Sequence, residues 1–243
     1  RAAARRCRRG GRRLLELSMT RFTALAAAIL YALAGSSAQA ETASTKWEDM
    51  PLMPLEARYR GPFKDTMIQR WRDPIDGTMN FVKQHDHFAS MIAVCENGIE
   101  KLGYILDVTE DELYWGGPEC GVFCNDQKVA PPKNLPLEEG LFGVGGKMLL
   151  SNYRNVQSAA KKSLGVRIYG SSGIEFIHVL TGKNVSYLSH LRPWDYAAGK
   201  ILAETLGLVV KTIDEESLDM LSSSDVLVAT KNAHQGIIKL MNS

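Results

Sequence analysis

Two aspartates separated by two residues lie in a short stretch that has the residue types of a metal and phosphate site. The stretch occupies residues 73–81 and reads DPIDGTMNF. Mg²⁺ prefers oxygen ligands and commonly takes one or two carboxylates together with waters and substrate phosphate. Gly77 lets a ligand approach the backbone closely, and the first amides of the helix that follows favour an anion. The pattern therefore predicts Asp73 and Asp76 as metal ligands, with the Thr78 hydroxyl beside both metal and phosphate.

The local backbone of this stretch follows from its proline. Pro74 restricts the preceding residue to an extended conformation, so Asp73 is expected near the end of a strand that then turns into a helix. For a bare D-x-x-D-G pattern, the alternative is an ordinary Asp-Pro and Asp-Gly surface turn.

A third aspartate lies in a second short stretch, residues 193–199, which reads PWDYAAG. Pro193 favours the first turn of a helix, and the helix is predicted to continue to about Leu206 and to stop at Gly207. Asp195 is then in the first turn, where the helix dipole stabilises a negative charge. The alternative is that Asp195 is a capping carboxylate with no other role.

These two stretches, in this order, resemble the signatures of the inositol monophosphatase family of Mg²⁺-dependent, lithium-sensitive phosphatases. The resemblance extends from about Gln69 to the C-terminus. It implies that Asp73 bridges two metal ions, that Ile75 offers its backbone carbonyl as a ligand, and that Asp76 and Asp195 bind the second metal. The cofactor implied is therefore Mg²⁺, as two or more ions.

The resemblance also implies which residues act on the substrate. Thr78 and Asp76 are implied as catalytic, with Thr78 orienting the attacking water. The implied substrate-binding residues are Gly77, Thr78, Ser171, Ser172 and Asp195. The turn at residues 170–172 resembles the family's contact with a sugar or cyclitol, whereas a serine that caps the next helix is the alternative for either serine.

Two departures from the family pattern bear on substrate and rate. The family's inositol-reading glutamate position holds Leu188, which accepts no hydrogen bond, so sugar phosphates, fructose bisphosphate and 3′-phosphoadenosine nucleotides stay open beside inositol monophosphate. The family's Gly-Glu-Glu motif is absent upstream, and its position falls near Met53. No spacing argument selects Glu48, Asp49 or Glu56 as a substitute.

Three functional interpretations follow from these matches and departures. The first is a phosphomonoesterase acting on inositol monophosphate or a related small polyol or sugar phosphate. The second is an impaired protein that binds metal and phosphate without turnover. The third is a chimera or fragment in which an unrelated signal-bearing start is joined to a phosphatase body.

The start of the chain differs in character from the rest. Residues 1–40 combine an arginine-rich start with a segment typical of secretory signals at residues 19–40, which has a short apolar run and an Ala38-x-Ala40 end. A buried alanine-rich helix is the alternative. Residues 41–68 are a linker without family resemblance, and residues 69–243 are the predicted phosphatase-like domain.

Charge and cysteine content frame the expected partners. The net charge of +2 owes its sign to the arginine-rich start, so the body gives no reason to expect nucleic acid. No further ligand residues at zinc-site spacing accompany Cys95, Cys120 and Cys124, so these thiols are expected to be reduced. Reduced thiols favour a cytoplasmic location for the body despite the signal-like segment. We expect a small phosphate ester as partner, no stable membrane anchor, and leave a homodimer open.

The predicted fold is an α/β layered sandwich of the kind found in inositol monophosphatase and fructose-1,6-bisphosphatase, without the family's first helix layer. Strands at 88–95 and 99–106 flank Asn97-Gly98, a strong hairpin signal, and 112–115 continues the sheet. An alternating half follows, with helices at 152–164 and 172–180 and strands at 166–169, 185–188 and 226–230. This arrangement predicts that Asp195 lies opposite the first motif.

Overall fold

An antiparallel sheet forms the first half of the described chain. The structure is a computed structural model that describes the backbone of residues 68–242 and the side chains of residues 71–242. Six strands pair in chain order: β1 Ile68–Asp76, β2 Ala89–Glu96, β3 Ile99–Asp107, β4 Glu112–Gly117, β5 Gly121–Cys124 and β6 Gln127–Lys128. A short helix, α1, occupies Thr78–Lys83 between the first two strands.

A mixed sheet with its helices forms the second half. Its elements are β7 Leu141–Val144, α2 Gly146–Leu150, α3 Val156–Lys162, β8 Gly165–Arg167, α4 Ser172–Leu180, β9 Ser186–Leu191, α5 Pro193–Thr205, β10 Val209–Thr212, β11 Ser224–Ala229 and α6 Lys231–Met241. The strand order is β10-β11-β9-β7-β8. Strand β7 is parallel to β8 and to β9, whereas β11 is antiparallel to both of its neighbours, β9 and β10.

Helices α4 and α5 pack between the two sheets. Helix α5 contacts the first five strands of the antiparallel sheet as well as β10 and β11, and α4 contacts β2, β3 and β9. Helices α3 and α6 join a second apolar cluster with β7 and β11. The described residues thus form alternating layers of sheet and helix, which confirms the predicted α/β sandwich. The predicted absence of the family's first helix layer concerns the residues before Ile68, which lie outside the part of the chain that the structure describes.

The predicted hairpin between β2 and β3 is present. Asn97 and Gly98 both have positive φ, 53° and 77°, as a two-residue hairpin turn requires. Cys95 lies on the buried face of β2. None of the helices within residues 68–242 has the length and apolar character needed to cross a membrane.

The predicted helix at 152–164 was wrong at its start. Asn152, Arg154 and Asn155 have left-handed backbone conformations, so a 3₁₀ turn occupies Tyr153–Asn155 and α3 begins at Val156. Strands β7 and β10 and helix α2 were not predicted. Each has four or five residues, which is too short for a periodic pattern to show.

Packing between α4 and α5 depends on a glycine. A Cβ placed on Gly199 would overlap the ring of Phe176, which is fully buried. We expect Gly199→Ala to force the two helices apart and to lower the free energy of unfolding by about 1–3 kcal/mol. Urea unfolding monitored by circular dichroism measures this change.

Gly236 in α6 provides a matched control for that substitution. The nearest atom to a Cβ there would be Leu137 Cβ, at 3.9 Å. Gly236→Ala should therefore leave packing intact and raise the free energy of unfolding by about 0.5–1 kcal/mol, because alanine restricts the unfolded chain. Equal effects of the two substitutions would show that helix propensity, not contact with Phe176, decides the outcome.

Candidate metal and phosphate site

A bulge in β1 places two aspartates on the same face of the antiparallel sheet. Asp73 pairs with Met91 and Asp76 pairs with Ala89, so β1 holds one more residue than β2 between these pairs. In a regular strand, residues three apart face opposite sides. The extra residue cancels that alternation. Both aspartates therefore point with the buried side chains of Met91 and Ala89 towards α4, where Gly173 lies against both.

The strand ends in a glycine that allows the site to close. Gly77 has φ 80° and lies directly before α1. A Cβ on Gly77 would come within 2.8 Å of Ser171 Cβ, so a larger residue would separate the two segments. Thr78 is exposed at the start of α1, and its hydroxyl donates to the Ile75 carbonyl at 3.0 Å. The predicted water-orienting hydroxyl thus lies beside the predicted carbonyl ligand.

Three carboxylates converge at this place. Oxygen atoms of Asp73, Asp76 and Asp195 all lie within 4.8 Å of one another. Asp195 comes from the first turn of α5, where its Oδ2 accepts the backbone N–H of Arg192 at 2.9 Å. The capping interaction proposed as an alternative for Asp195 is therefore present, and it leaves the carboxylate in the cluster. Two motifs far apart in the chain meet, as the predicted layered sandwich required.

The electrostatics of the cluster favour a cation. Burial, together with the charges of Asp76 and Asp195, raises the pKa of Asp73 to about 8. Burial also raises the pKa values of Asp76 and Asp195. Carboxyl groups held close together and partly shielded from solvent resist ionisation, because their negative charges repel one another. A divalent cation would relieve that repulsion, and carboxylate and carbonyl oxygens are the donors that Mg²⁺ prefers.

Asp76 accepts four hydrogen bonds from the start of α4. The Ser172 amide and hydroxyl donate to Oδ1 at 3.2 and 2.8 Å, and the Gly173 amide donates to Oδ2 at 2.7 Å, as does the Ser171 hydroxyl. The Ser171 hydroxyl also accepts the Ile174 amide at 3.4 Å, so the capping alternative holds for Ser171. Both serines predicted to contact substrate touch a predicted metal ligand.

The sequence reasoning missed two polar residues that flank the site. Asn80 Nδ2 donates to the Tyr169 carbonyl at 2.6 Å and to the His87 carbonyl at 2.9 Å. Glu175 Oε1 accepts the Tyr169 amide at 2.9 Å. A signal for each was available, because Asn80 lies inside the first motif and Glu175 interrupts the apolar run of α4, which reads SGIEFIHVL.

Two histidines pack on Tyr169. The His87 ring stacks on it at 5.6 Å, and the His178 ring meets it edge-on at 4.3 Å between centroids. Burial lowers the pKa of His178 to about 4, so this ring is neutral and packed on Tyr169. Leu188 is completely buried in the apolar cluster with α3 and α6, so this position offers the substrate no polar group.

Comparison with known sequences identifies the family. The sequence model of the Inositol monophosphatase family matches residues 64–243, most of the chain. The chain belongs to the inositol monophosphatase family. An inositol-1-monophosphatase of Bacillus subtilis is 38% identical over 172 residues, which cover 69% of this chain and 65% of that protein. A fructose-1,6-bisphosphatase/inositol-1-monophosphatase of Thermotoga maritima is 27% identical, covering 70% and 66%.

Solved structures share the fold. A dual-specificity IMPase/NADP phosphatase bound to D-inositol-1-phosphate superposes with a TM-score of 0.69 at 28% identity, covering 77% of this chain and 74% of that one. An IMPase/NADP phosphatase complex with Mg²⁺ and phosphate has the same TM-score and identity and covers 77% and 72%. The chain spans just under two thirds of the length of the first two curated relatives.

The raised pKa values predict how metal affinity depends on pH. Protons compete with the cation for the carboxylates, and Asp73 holds its proton up to about pH 8. Mg²⁺ affinity should therefore rise from acid pH to about pH 8 and then level off, by up to about tenfold per pH unit for each proton released. Isothermal titration in buffers of different ionisation enthalpy measures affinity and counts the protons.

Asp76→Asn serves as the comparison in the same titration. It removes one charge from the cluster and should weaken Mg²⁺ binding at every pH. Equal affinities of the two proteins, or a wild-type affinity that does not change with pH, would contradict the assignment of these carboxylates as ligands.

Proposed function

We propose that this chain is a Mg²⁺-dependent phosphomonoesterase that acts on inositol monophosphate or a related small polyol or sugar phosphate. The observation that carries this proposal is the convergence of Asp73, Asp76 and Asp195 next to the exposed hydroxyl of Thr78. The names of the relatives support it, since they include inositol monophosphatases. A related structure that holds Mg²⁺ and phosphate supports the choice of cofactor.

We propose that this donor set holds more than one Mg²⁺ ion. Asp73 lies in the cluster with both other carboxylates, and the Ile75 carbonyl adds a neutral oxygen ligand beside Thr78. We therefore propose Asp73 as a bridging ligand, Asp76 and Asp195 as ligands of a second ion, and Ile75 as a carbonyl ligand. When bound, the metal would supply positive charge that stabilises the phosphoryl group during an in-line displacement.

The residues of the chain have separate tasks in this proposal. Thr78 orients the attacking water through its hydroxyl, which lies within hydrogen-bond distance of the Ile75 carbonyl. Gly77 leaves the backbone open to the phosphate, because it carries no side chain. Ser171 and Ser172 hold the Asp76 carboxylate through their hydroxyls, which supports a role for both serines beside the bound substrate.

Substrate choice within the family is the less specific part of the proposal. Leu188 lacks the carboxylate that would read a polyol hydroxyl, so discrimination must come from other groups. The related proteins include a fructose-1,6-bisphosphatase and NADP phosphatases, and bisphosphates and 3′-phosphoadenosine nucleotides are the alternative substrates. A cytoplasmic location and a homodimer stay predictions.

Removing one ligand should abolish turnover. Asp195→Asn keeps the shape of the side chain and its bond from Arg192 but removes the charge that opposes a cation. We expect kcat/KM to fall by about 10²-fold or more, measured as phosphate release from inositol 1-phosphate, fructose 1,6-bisphosphate and NADP. The matched control is Asp111→Asn, in the exposed turn between β3 and β4, where asparagine accepts the positive φ of 54°.

The result of this pair of variants is decisive for the proposal. Wild-type hydrolysis with full activity of Asp111→Asn and loss in Asp195→Asn would support it. Equal rates for the two variants would contradict the role of Asp195, and absence of hydrolysis in the wild type would favour the second interpretation, binding without turnover.

The missing Gly-Glu-Glu motif predicts slow turnover. Without an acid near Met53, which lies before the described residues, Thr78 lacks a partner in orienting water. We expect slow hydrolysis that needs high Mg²⁺, and replacing residues 1–65 by a family segment with Gly-Glu-Glu should raise kcat by about 10²-fold or more. Family-like rates in the unmodified chain would contradict this, and alanine at Glu48, Asp49 and Glu56 in turn would then identify the substitute ligand.

A further inference from the structure

Two buried polar side chains hold the backbone of Tyr169 from opposite ends. Glu175 Oε1 accepts its amide N–H at 2.9 Å, and Asn80 Nδ2 donates to its carbonyl at 2.6 Å. Glu175 is 1% exposed and Asn80 is 8% exposed. The two side chains come from different helices, α4 and α1. Both hydrogen-bonding groups of one residue in a loop are therefore fixed by side chains.

The residues after Tyr169 supply every hydrogen bond described for the Asp76 carboxylate. Gly170 follows with φ 75° and lies next to Asn80. The three residues after it provide two hydroxyls and two amides to Asp76. The turn at residues 169–173 includes the first two residues of α4, and it begins at the Tyr169 peptide, which the two side chains hold.

The surroundings of Glu175 are costly for a carboxyl group. A Cβ at Gly143 in β7 would overlap Oε2, so the carboxyl group fits there only because that residue is glycine. Asn184 Nδ2 lies 3.4 Å from Oε2. Burial raises the pKa of Glu175 to about 8. A buried acid reduces stability unless its hydrogen bonds compensate, and its shortest one goes to Tyr169.

We propose that Glu175 is a positioning residue of the phosphatase site. It holds the Tyr169 amide, this fixes the turn at residues 169–173, and the turn orients Asp76 towards the metal cluster. Its hydrogen bonds are with Tyr169 and Asn184, so its hydrogen-bonded link to the site runs through the turn. The part of this inference that concerns turnover rests on the proposed function.

Three substitutions at Glu175 test whether its hydrogen bond from the Tyr169 amide, called the anchor below, positions the turn. Glu175→Ala removes the acceptor, and because small displacements of catalytic groups cost up to about 10²-fold, we expect kcat to fall by about 10- to 100-fold with little change in KM for the phosphate ester. Glu175→Gln keeps a carbonyl oxygen for the Tyr169 amide and should recover most of kcat. Glu175→Asp keeps the carboxylate but, being one methylene shorter, moves it away from the Tyr169 amide. Its kcat should lie between those of the wild type and Glu175→Ala, and it can be measured even where Glu175→Ala folds poorly.

Val179→Ala provides the control for a general loss of stability. Val179 lies on the same helix, is completely buried, and is remote from the turn along α4. It should lower Tm comparably to Glu175→Ala and leave kcat unchanged. An equal fall in kcat for both variants, a wild-type kcat in Glu175→Ala, or a Glu175→Gln variant no better than the alanine variant would overturn the proposal.

Two further measurements separate this inference from the proposed function. Hydrogen exchange at the Tyr169 amide and Mg²⁺ affinity by isothermal titration do not require turnover. Relative to Val179→Ala, Glu175→Ala should speed hydrogen exchange at the Tyr169 amide. It should also weaken Mg²⁺ binding by about tenfold, which is below the roughly 10²-fold limit for a displaced functional group. If both stay at control values, the anchor is wrong even in an active enzyme. If both change in a protein without hydrolysis, the anchor stands and the proposed function fails.

Discussion

Repulsion among three carboxylates is the constraint on which the site depends. Asp73, Asp76 and Asp195 lie within a few ångströms of one another. Burial raises the pKa values of all three, and the charges of neighbouring aspartates raise those of Asp73 and Asp195 further. Such a cluster opposes folding unless something holds it or neutralises it. The hydrogen bonds to Asp76 from α4 and to Asp195 from the Arg192 amide hold two of the three groups, and a cation would neutralise all of them.

The layers of the fold supply these supports from different directions. The antiparallel sheet contributes Asp73 and Asp76 on its inner face, and the two helices between the sheets begin at the cluster. The start of α4 donates to Asp76, and the start of α5 carries Asp195. Close packing of α4 on α5, which the glycine at 199 permits, keeps both helix starts at a fixed separation. The packing of the core therefore also sets the geometry of the site.

The fold and the site were predictable to different degrees. The hairpin at Asn97-Gly98, helix α4 and helix α5 were expected from local patterns, and the meeting of the two motifs was expected from the predicted sandwich; all are present. The start of α3 was wrong, because left-handed conformations at Asn152, Arg154 and Asn155 depend on side-chain contacts such as that of Asn155 with the Leu240 carbonyl. The short strands β7 and β10 carry too few residues for periodicity to reveal them.

The sequence by itself determined the residue types of the candidate site, through the carboxylates, the glycine and the threonine of two short motifs, because ligand type and backbone permissiveness are properties of single residues. Tertiary structure alone decided the geometry. The bulge that brings Asp73 and Asp76 to one face depends on pairing with β2, and the hold of Glu175 on Tyr169 depends on a buried contact between α4 and a loop. Neither leaves a periodic trace in the chain, since each arises from partners that only folding brings together.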